Sequence, residues 1–193
     1  VQQTNKKMLN WGDRFNICCF LDNNDYHEAL SSVECMLAAG AIRSISSSAG
    51  TAFSHLQLFY DERPDWMFGH FSYDLKNEVE SLSSSHPDRI GLPDLSFFVP
   101  EVLVQLSASS ISIGIYGEHH LQLFEEIMTA TAFSSTIIRK TGINGARYTK
   151  REYIDVVEKL KQHILKGDCY EVNLCQEFFV ENILIEPTIG ITV

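Results

Sequence analysis

No run in this sequence approaches the roughly 20 consecutive apolar residues that a membrane-spanning helix needs, and the opening VQQTNKKMLNWGDRFN holds no apolar signal core. The expected compartment is therefore the cytoplasm, with no membrane partner. Positive charge is scarce and scattered: 15 Lys and Arg stand against 25 Asp and Glu, a formal net charge of −10. That excludes the phosphate-neutralising surface of a nucleic-acid binder. Cysteine is also thin, with five residues (Cys18, Cys19, Cys35, Cys169, Cys175) and no C-x-x-C pair. The odd count reads as reduced, mostly buried small apolar groups rather than a disulfide or zinc framework. The common chemistry motifs are missing: there is no G-x-x-x-x-G-K-[ST], G-x-G-x-x-G, G-x-S-x-G or H-E-x-x-H. His119 and His120 are adjacent, so their side chains diverge and a solvated turn is expected there instead of a metal site.

What remains is an ordinary globular composition, 45% hydrophobic and 21% charged over 193 residues, enough for one domain or one and a half. Phe15, Ile17, Cys19 and Leu21 alternate as a half-buried strand. Asp25 and Glu28 form a possible cap for a helix with Leu30, Val33, Met36 and Leu37 as its stripe and Gly40 at its end. Strands are expected near 41–46, 52–60 and 66–73, then a Ser/Pro/Gly/Asp-rich surface loop over 81–94. LSFFVPEVLVQL and SISIGIY read as two more strands, with Pro100 placing a bulge or an edge in the first. HLQLFEEIM has helical spacing while TATAFSSTII is β-branched, so 118–138 stays open between helix and strand. Many strands with few helices predict an α+β class with antiparallel sheets and flanking helices.

The clearest unit lies late in the chain, in RYTKREYIDVVEKLKQHILKGDCYEVNLCQEFF, residues 147–179. Thr149 and Glu152 make a T-x-x-E capping box, the apolar residues from Tyr153 to Ile164 keep helical spacing, and Gly167 is placed to end the helix. A strand over about 168–180 is expected next. Its period of two sets Tyr170, Val172, Leu174 and Phe178 on a core face and Glu171, Asn173, Cys175 and Glu177 on a polar one.

Two stretches carry a resemblance. WMFGHFSYDLKNEVESL (66–82) is similar to a segment in the N-terminal domain of chorismate-using synthases. YIDVVEKLKQHILKGDCYEVNLCQEF (153–178) resembles the segment with which their chorismate-binding domain opens, and FFVPEVLV lies between them in the same order. Component I of aminodeoxychorismate (para-aminobenzoate) synthase is the nearest branch, with component I of anthranilate synthase beside it. The resemblance implies residues 1–145 as an anthranilate synthase component I-like N-terminal domain and 146–193 as the incomplete start of the catalytic domain. The family's later lysine-bearing and magnesium-holding segments do not occur, so the 193-residue chain alone is expected to be inactive.

For a full enzyme, the resemblance implies conversion of chorismate and ammonia to 4-amino-4-deoxychorismate, for para-aminobenzoate and folate synthesis. Ammonia comes from a glutamine amidotransferase subunit (component II), and Mg2+ neutralises the substrate carboxylate. Glu171 is the one catalytic position implied within this chain. It stands where the water-using branch has lysine and the amine-forming branch usually has glutamine; a plain solvated strand carboxylate is the alternative. Asp22 and Asn23, in CFLDNN, occupy the place of a tryptophan-pocket motif, or else serve the turn. Likewise Asp74 is expected to cap a helix and Tyr73 to lie in the core. Competing functions are anthranilate synthase component I of tryptophan synthesis, which Asn173 and the altered LDNN argue against, and a non-catalytic ligand- or partner-binding domain.

Overall fold

A computed structural model describes residues 2–24, 26, 33–80, 82–83, 88–131 and 145–181. The chain divides into two units, Val1–Ser134 and Ser135–Val193. In the first, helix α1 (Gln2–Gly12) precedes strands β1 (Cys18–Asp22), β2 (Val33–Ala39) and β3 (Arg43–Ser47). Helix α2 (Ala52–Glu62), strand β4 (Phe68–Phe71), a 3-10 turn (Tyr73–Leu75) and the short helix α3 (Lys76–Val79) follow. Strands β5 (Leu95–Val99), β6 (Val102–Ser107) and β7 (Ile111–Ile115) and helix α4 (His120–Thr129) complete it. The second unit contains β8 (Gly145–Ala146), α5 (Lys150–Lys166) and β9 (Phe178–Phe179). Mixed helices and antiparallel sheets agree with the expected α+β class.

Two sheets make the first unit, a four-stranded one in the order β1-β2-β6-β7 and a three-stranded one in the order β3-β5-β4. All pairings are antiparallel. Phe20, Leu37, Val104 and Ile113 stand directly opposite one another across the larger sheet. This row packs with Met8 and Trp11 of α1 and Ile127 of α4. The other face of that sheet offers Met36, Ala38 and Leu103 to Phe68 and Phe98 of the smaller sheet. The far face of the smaller sheet, with Ile45, Leu95 and Phe97, is covered by Ala52 and Leu56 of α2 and by Leu75. Helices, sheet, sheet and helix therefore stack as layers, and the inner strands are buried on both faces. Leu37, Leu95, Val104 and Ile127 are fully buried, each gaining about 1.5–3 kcal/mol over an exposed position.

Several local expectations change. The helix expected from Asp25 through Leu37 is strand β2 over Val33–Ala39; Asp25 and residues 27–32 lie outside the described residues. Cys35, Leu37 and Ala39 face one apolar layer and Met36 and Ala38 the other. A doubly buried strand is a continuous apolar run, and such a run also satisfies helical spacing. Gly40 does take a left-handed φ of 70°, but it turns the chain out of a strand. The strand expected at 52–60 is helix α2. LSFFVPEVLVQL is two strands in different sheets, with Pro100 and Glu101 as the crossing. Residues 120–129 resolve as helix, while 132–138 lie outside the described residues. Helix α1 has no counterpart in the sequence reading, although Met8 and Trp11 are spaced to share a helical face and are buried. Only Cys35 of the five thiols is buried.

Candidate functional site

The turn after β1 is closed by its own residues. Asp22 Oδ1 accepts the Asn24 N–H at 2.9 Å, and Asn24 has a positive φ of 51°. Asn5 of α1 donates through Nδ2 to Asp22 Oδ2 at 3.0 Å, while its Oδ1 accepts from the Cys35 thiol at 3.1 Å. Asn23 bonds through its backbone, N–H to the Glu34 carbonyl and carbonyl from the Tyr26 N–H, both at 2.9 Å. A short side chain bonding to a backbone donor two residues on is the turn chemistry expected of Asp. Burial, with the charges of Asp22 and Glu34, pushes the Cys35 thiol up to about 12. Burial, with Cys19 and Asp13, takes Cys18 to about 11. Neither thiol is a thiolate nucleophile at neutral pH.

The FGHFSYDL stretch forms β4 and the turn after it. Ser72, not Asp74, caps the 3-10 turn by accepting the Asp74 N–H, and Tyr73 is 83% exposed rather than core. Asp74 instead pairs with Lys76 at 2.8 Å. Ser72 donates to Asp94 at 2.7 Å, and Asp94 accepts the Ala49 N–H at 2.9 Å. Glu78 accepts the N–H groups of Gly50, Ala52 and Phe53 at 2.9, 2.8 and 3.0 Å. Its carboxylate serves as the N-terminal cap of α2 from a different part of the chain, because Thr51 makes no side-chain cap bond.

Both carboxyls titrate low. Burial raises Glu78, but the donors of Phe53, Gly50 and Ala52 outweigh it and hold it below the usual range. The Ala49 N–H and the Ser72 hydroxyl lower Asp94. With folded-state values below those of the unfolded chain, their stabilisation is complete above about pH 4–5 and is lost as pH falls through the folded values. The double variant Glu78→Gln/Asp94→Asn is expected to flatten the acid limb of the melting temperature between about pH 5 and 3. An acid limb as steep as that of the unsubstituted protein would show that these carboxylates do not hold the turn.

In the second unit the capping box forms as its spacing predicts. Thr149 Oγ1 accepts the Glu152 N–H at 3.3 Å and Glu152 Oε2 accepts the Thr149 N–H at 2.8 Å. Gly167 closes α5 with a left-handed φ of 82°. The strand expected over 168–180 is confined to Phe178–Phe179, paired with Gly145–Ala146. A strand needs a ladder partner, and the described residues supply one only there. Tyr170 is 93% exposed and Val172 44%, so neither forms a core face. Around the short ladder, Arg147 grips Glu177 through Nε and Nη2 at 2.5 and 3.1 Å. Gln176 clasps the Tyr148 backbone, Nε2 donating to its carbonyl at 2.8 Å. A cavity of about 590 Å³ opens beside them, walled by Tyr148, Tyr153 and Phe178 with Lys150 and Gln176 on its lining. Aromatic walls with one ammonium group suit a ring-bearing anion. Sequence reading missed Lys150 and Gln176; Gln176 is recognisable only once its bond to Tyr148 is seen.

Glu171 sits in the irregular segment between α5 and β9, exposed, with no hydrogen bond or ion pair among the described residues. Asp22 and Asn23 belong to the other unit. His119 and His120 are exposed at the start of α4. Among the described residues no three His, Cys, Asp or Glu side chains converge as metal ligands. Nor is any helix among them long and apolar enough to cross a membrane.

A family model described as chorismate binding enzyme matches residues 16–187. Aminodeoxychorismate synthase component 1 of Klebsiella aerogenes is 27% identical over 113 residues, covering 57% of this chain and 25% of that protein. Anthranilate synthase component 1 of Pseudomonas putida is 25% identical over 136 residues, covering 60% of this chain and 28% of its own length. The Aquifex aeolicus protein of the same name is 25% identical over 145 residues, covering 62% and 29%. The chain thus spans between a quarter and a third of the length of these relatives.

Proposed function

The chain belongs to the chorismate-binding enzyme family, and from that premise we propose that it is part of component I of an aminodeoxychorismate synthase. In this reading the whole protein replaces the C4 hydroxyl of chorismate with ammonia delivered by a glutamine amidotransferase subunit. The product, 4-amino-4-deoxychorismate, leads to para-aminobenzoate and folate. Residues 1–145 serve as the N-terminal domain and 146–193 as the opening of the catalytic domain. The magnesium of the reaction draws its ligands from beyond the described residues.

The observation that supports the proposal is the family match, whose span of residues 16–187 includes YEVNLCQEF; the resemblance of that stretch implies that Glu171 stands where the water-using branch has lysine. Glu171 is exposed and unpaired among the described residues, which leaves its carboxylate free to meet a substrate. Asn173, and a turn in which Asp22 is already engaged by Asn5 and Asn24, favour this product over anthranilate. The test is product analysis of the full-length protein given chorismate, magnesium and ammonia at high concentration, which replaces the amidotransferase. The expected product is non-aromatic and becomes para-aminobenzoate on addition of a lyase. Accumulation of fluorescent anthranilate instead would overturn the assignment.

A further inference from the structure

We propose that the cleft between the Pro100–Glu101 crossing and the end of β7 binds an organic cation, a guanidinium or alkylammonium group, held by Glu101 and Asp65 against the rings of Trp66 and Tyr116. The cleft has a volume of about 270 Å³, with Leu103 and Ile115 in its lining. Gly114 of β7 also lines it, and a Cβ there would meet nothing nearer than the Leu103 carbonyl at 3.8 Å.

Glu101 has no hydrogen bond or ion pair among the described residues. Its side chain is folded across Gly40, where a Cβ would come within 2.8 Å of Glu101 Cδ and 2.9 Å of Oε2. This carboxylate is therefore positioned without being neutralised. Asp65 accepts from the Tyr116 hydroxyl and, at 2.8 Å, from the Trp66 N–H. Those two bonds, with smaller contributions from the Arg63 and Arg43 charges, hold the Asp65 carboxyl below the usual range.

The aromatic half is built in the same way. Trp66 stacks on Phe68 at 6.3 Å with 17° between the rings. Phe68 is buried, whereas Trp66 is 55% and Tyr116 54% exposed. The indole is thus anchored by the core and still open to a ligand. The guanidinium of Arg63 already lies 5.1 Å from the centre of the Tyr116 ring. An intramolecular cation has found this ring, and Trp66 offers the better cation–π surface beside the unneutralised Glu101. An anion would meet the Glu101 and Asp65 side chains of the lining, with Arg63 at the Tyr116 ring offsetting part of their repulsion.

The test is a titration of the isotopically labelled chain by two-dimensional NMR, following the Trp66 indole N–H and the Gly114 amide. Three probes are compared at constant ionic strength: N-ethylguanidinium, the blocked peptide acetyl-Gly-Arg-Gly-amide, and propionate. Saturable shifts with the first two, none with propionate, and an unmoved Trp11 indole are expected. Tighter binding of the peptide would assign the cation to a polypeptide side chain; equal or tighter binding of N-ethylguanidinium would assign it to a small molecule. Glu101→Gln is expected to weaken either by about tenfold or more, and Glu62→Gln, outside the cleft, to leave both within about twofold. The proposal is overturned by linear, non-saturating shifts with both cations. It is equally overturned by equal affinity in Glu101→Gln or by propionate binding at the same residues.

Discussion

Gly69→Ala is expected to destabilise the protein by about 3 kcal/mol, the upper end for forced overpacking, and to lower its melting temperature by about 10 °C. A Cβ on Gly69 would lie 1.9 Å from the Ser96 carbonyl oxygen and 2.7 Å from Phe97 Cα. Both atoms are backbone of the neighbouring strand, so no rotamer change relieves the contact. Gly69 stands opposite Phe97 in the β4–β5 ladder, and Phe68 beside it pairs with Phe98. Moving β4 away would pull Phe68 out of the layer between the sheets, where it packs with Phe98 and Ala38. Gly114→Ala is the matched control: it also lies in a strand, but its nearest contacts are ordinary ones of 3.8 Å and 4.0 Å. Thermal melts of the two variants side by side decide the matter. If Gly69→Ala melts within about 2 °C of the control, β4 has room that this packing denies it.

On the reading proposed above, Glu171→Lys in the full-length protein is expected to reduce amination of chorismate about a hundredfold and to admit some addition of water in place of ammonia, because a basic residue there can activate water. Glu171→Gln restores the residue usual in the amine-forming branch and is expected to retain most of the activity. Glu171→Ala should fall between the two. The contrast depends on Glu171 lying exposed and without a partner among the described residues, so that substitutions there test substrate contact rather than folding. Chromatographic identification of products from all three variants is the measurement. Identical rates and products would reduce Glu171 to a surface carboxylate while leaving the family assignment untouched.

Local signals were readable where neighbours in sequence are also neighbours in space. Helix α5 is the clearest case: Thr149, Glu152 and Gly167 act within a few residues of where their chemistry is visible. The turn at Asp22 is another, since its backbone acceptor role reaches only to Asn24. Partners distant in sequence supply what could not be read. Helix α2 looks like a strand because Phe53, Phe59 and Tyr60 favour strands, and its cap is Glu78 rather than any adjacent residue. Strand β2 has helical spacing because two apolar layers cover it. Tyr73 looks like core in sequence and is exposed in fact. Among the candidate site residues, Asp22, Asn23 and Glu171 stand out from the sequence alone, whereas the clasp of Gln176 on Tyr148 and the walls around Lys150 emerge only from geometry.

The crossing at Pro100 and Glu101 also constrains the order of assembly. Every strand of the smaller sheet, from Arg43 to Val99, lies between Ala39 and Val102, which are paired neighbours in the larger sheet. Hairpins β1–β2 and β6–β7 can form early from nearby residues, but joining them through β2 and β6 closes a long loop that contains the whole second sheet. Such closure carries its entropic cost before any contact rewards it, so refolding should be slow for a protein of this size. Leu37 and Val104, which meet at that seam, are then the residues whose truncation should slow refolding most, as stopped-flow kinetics can establish.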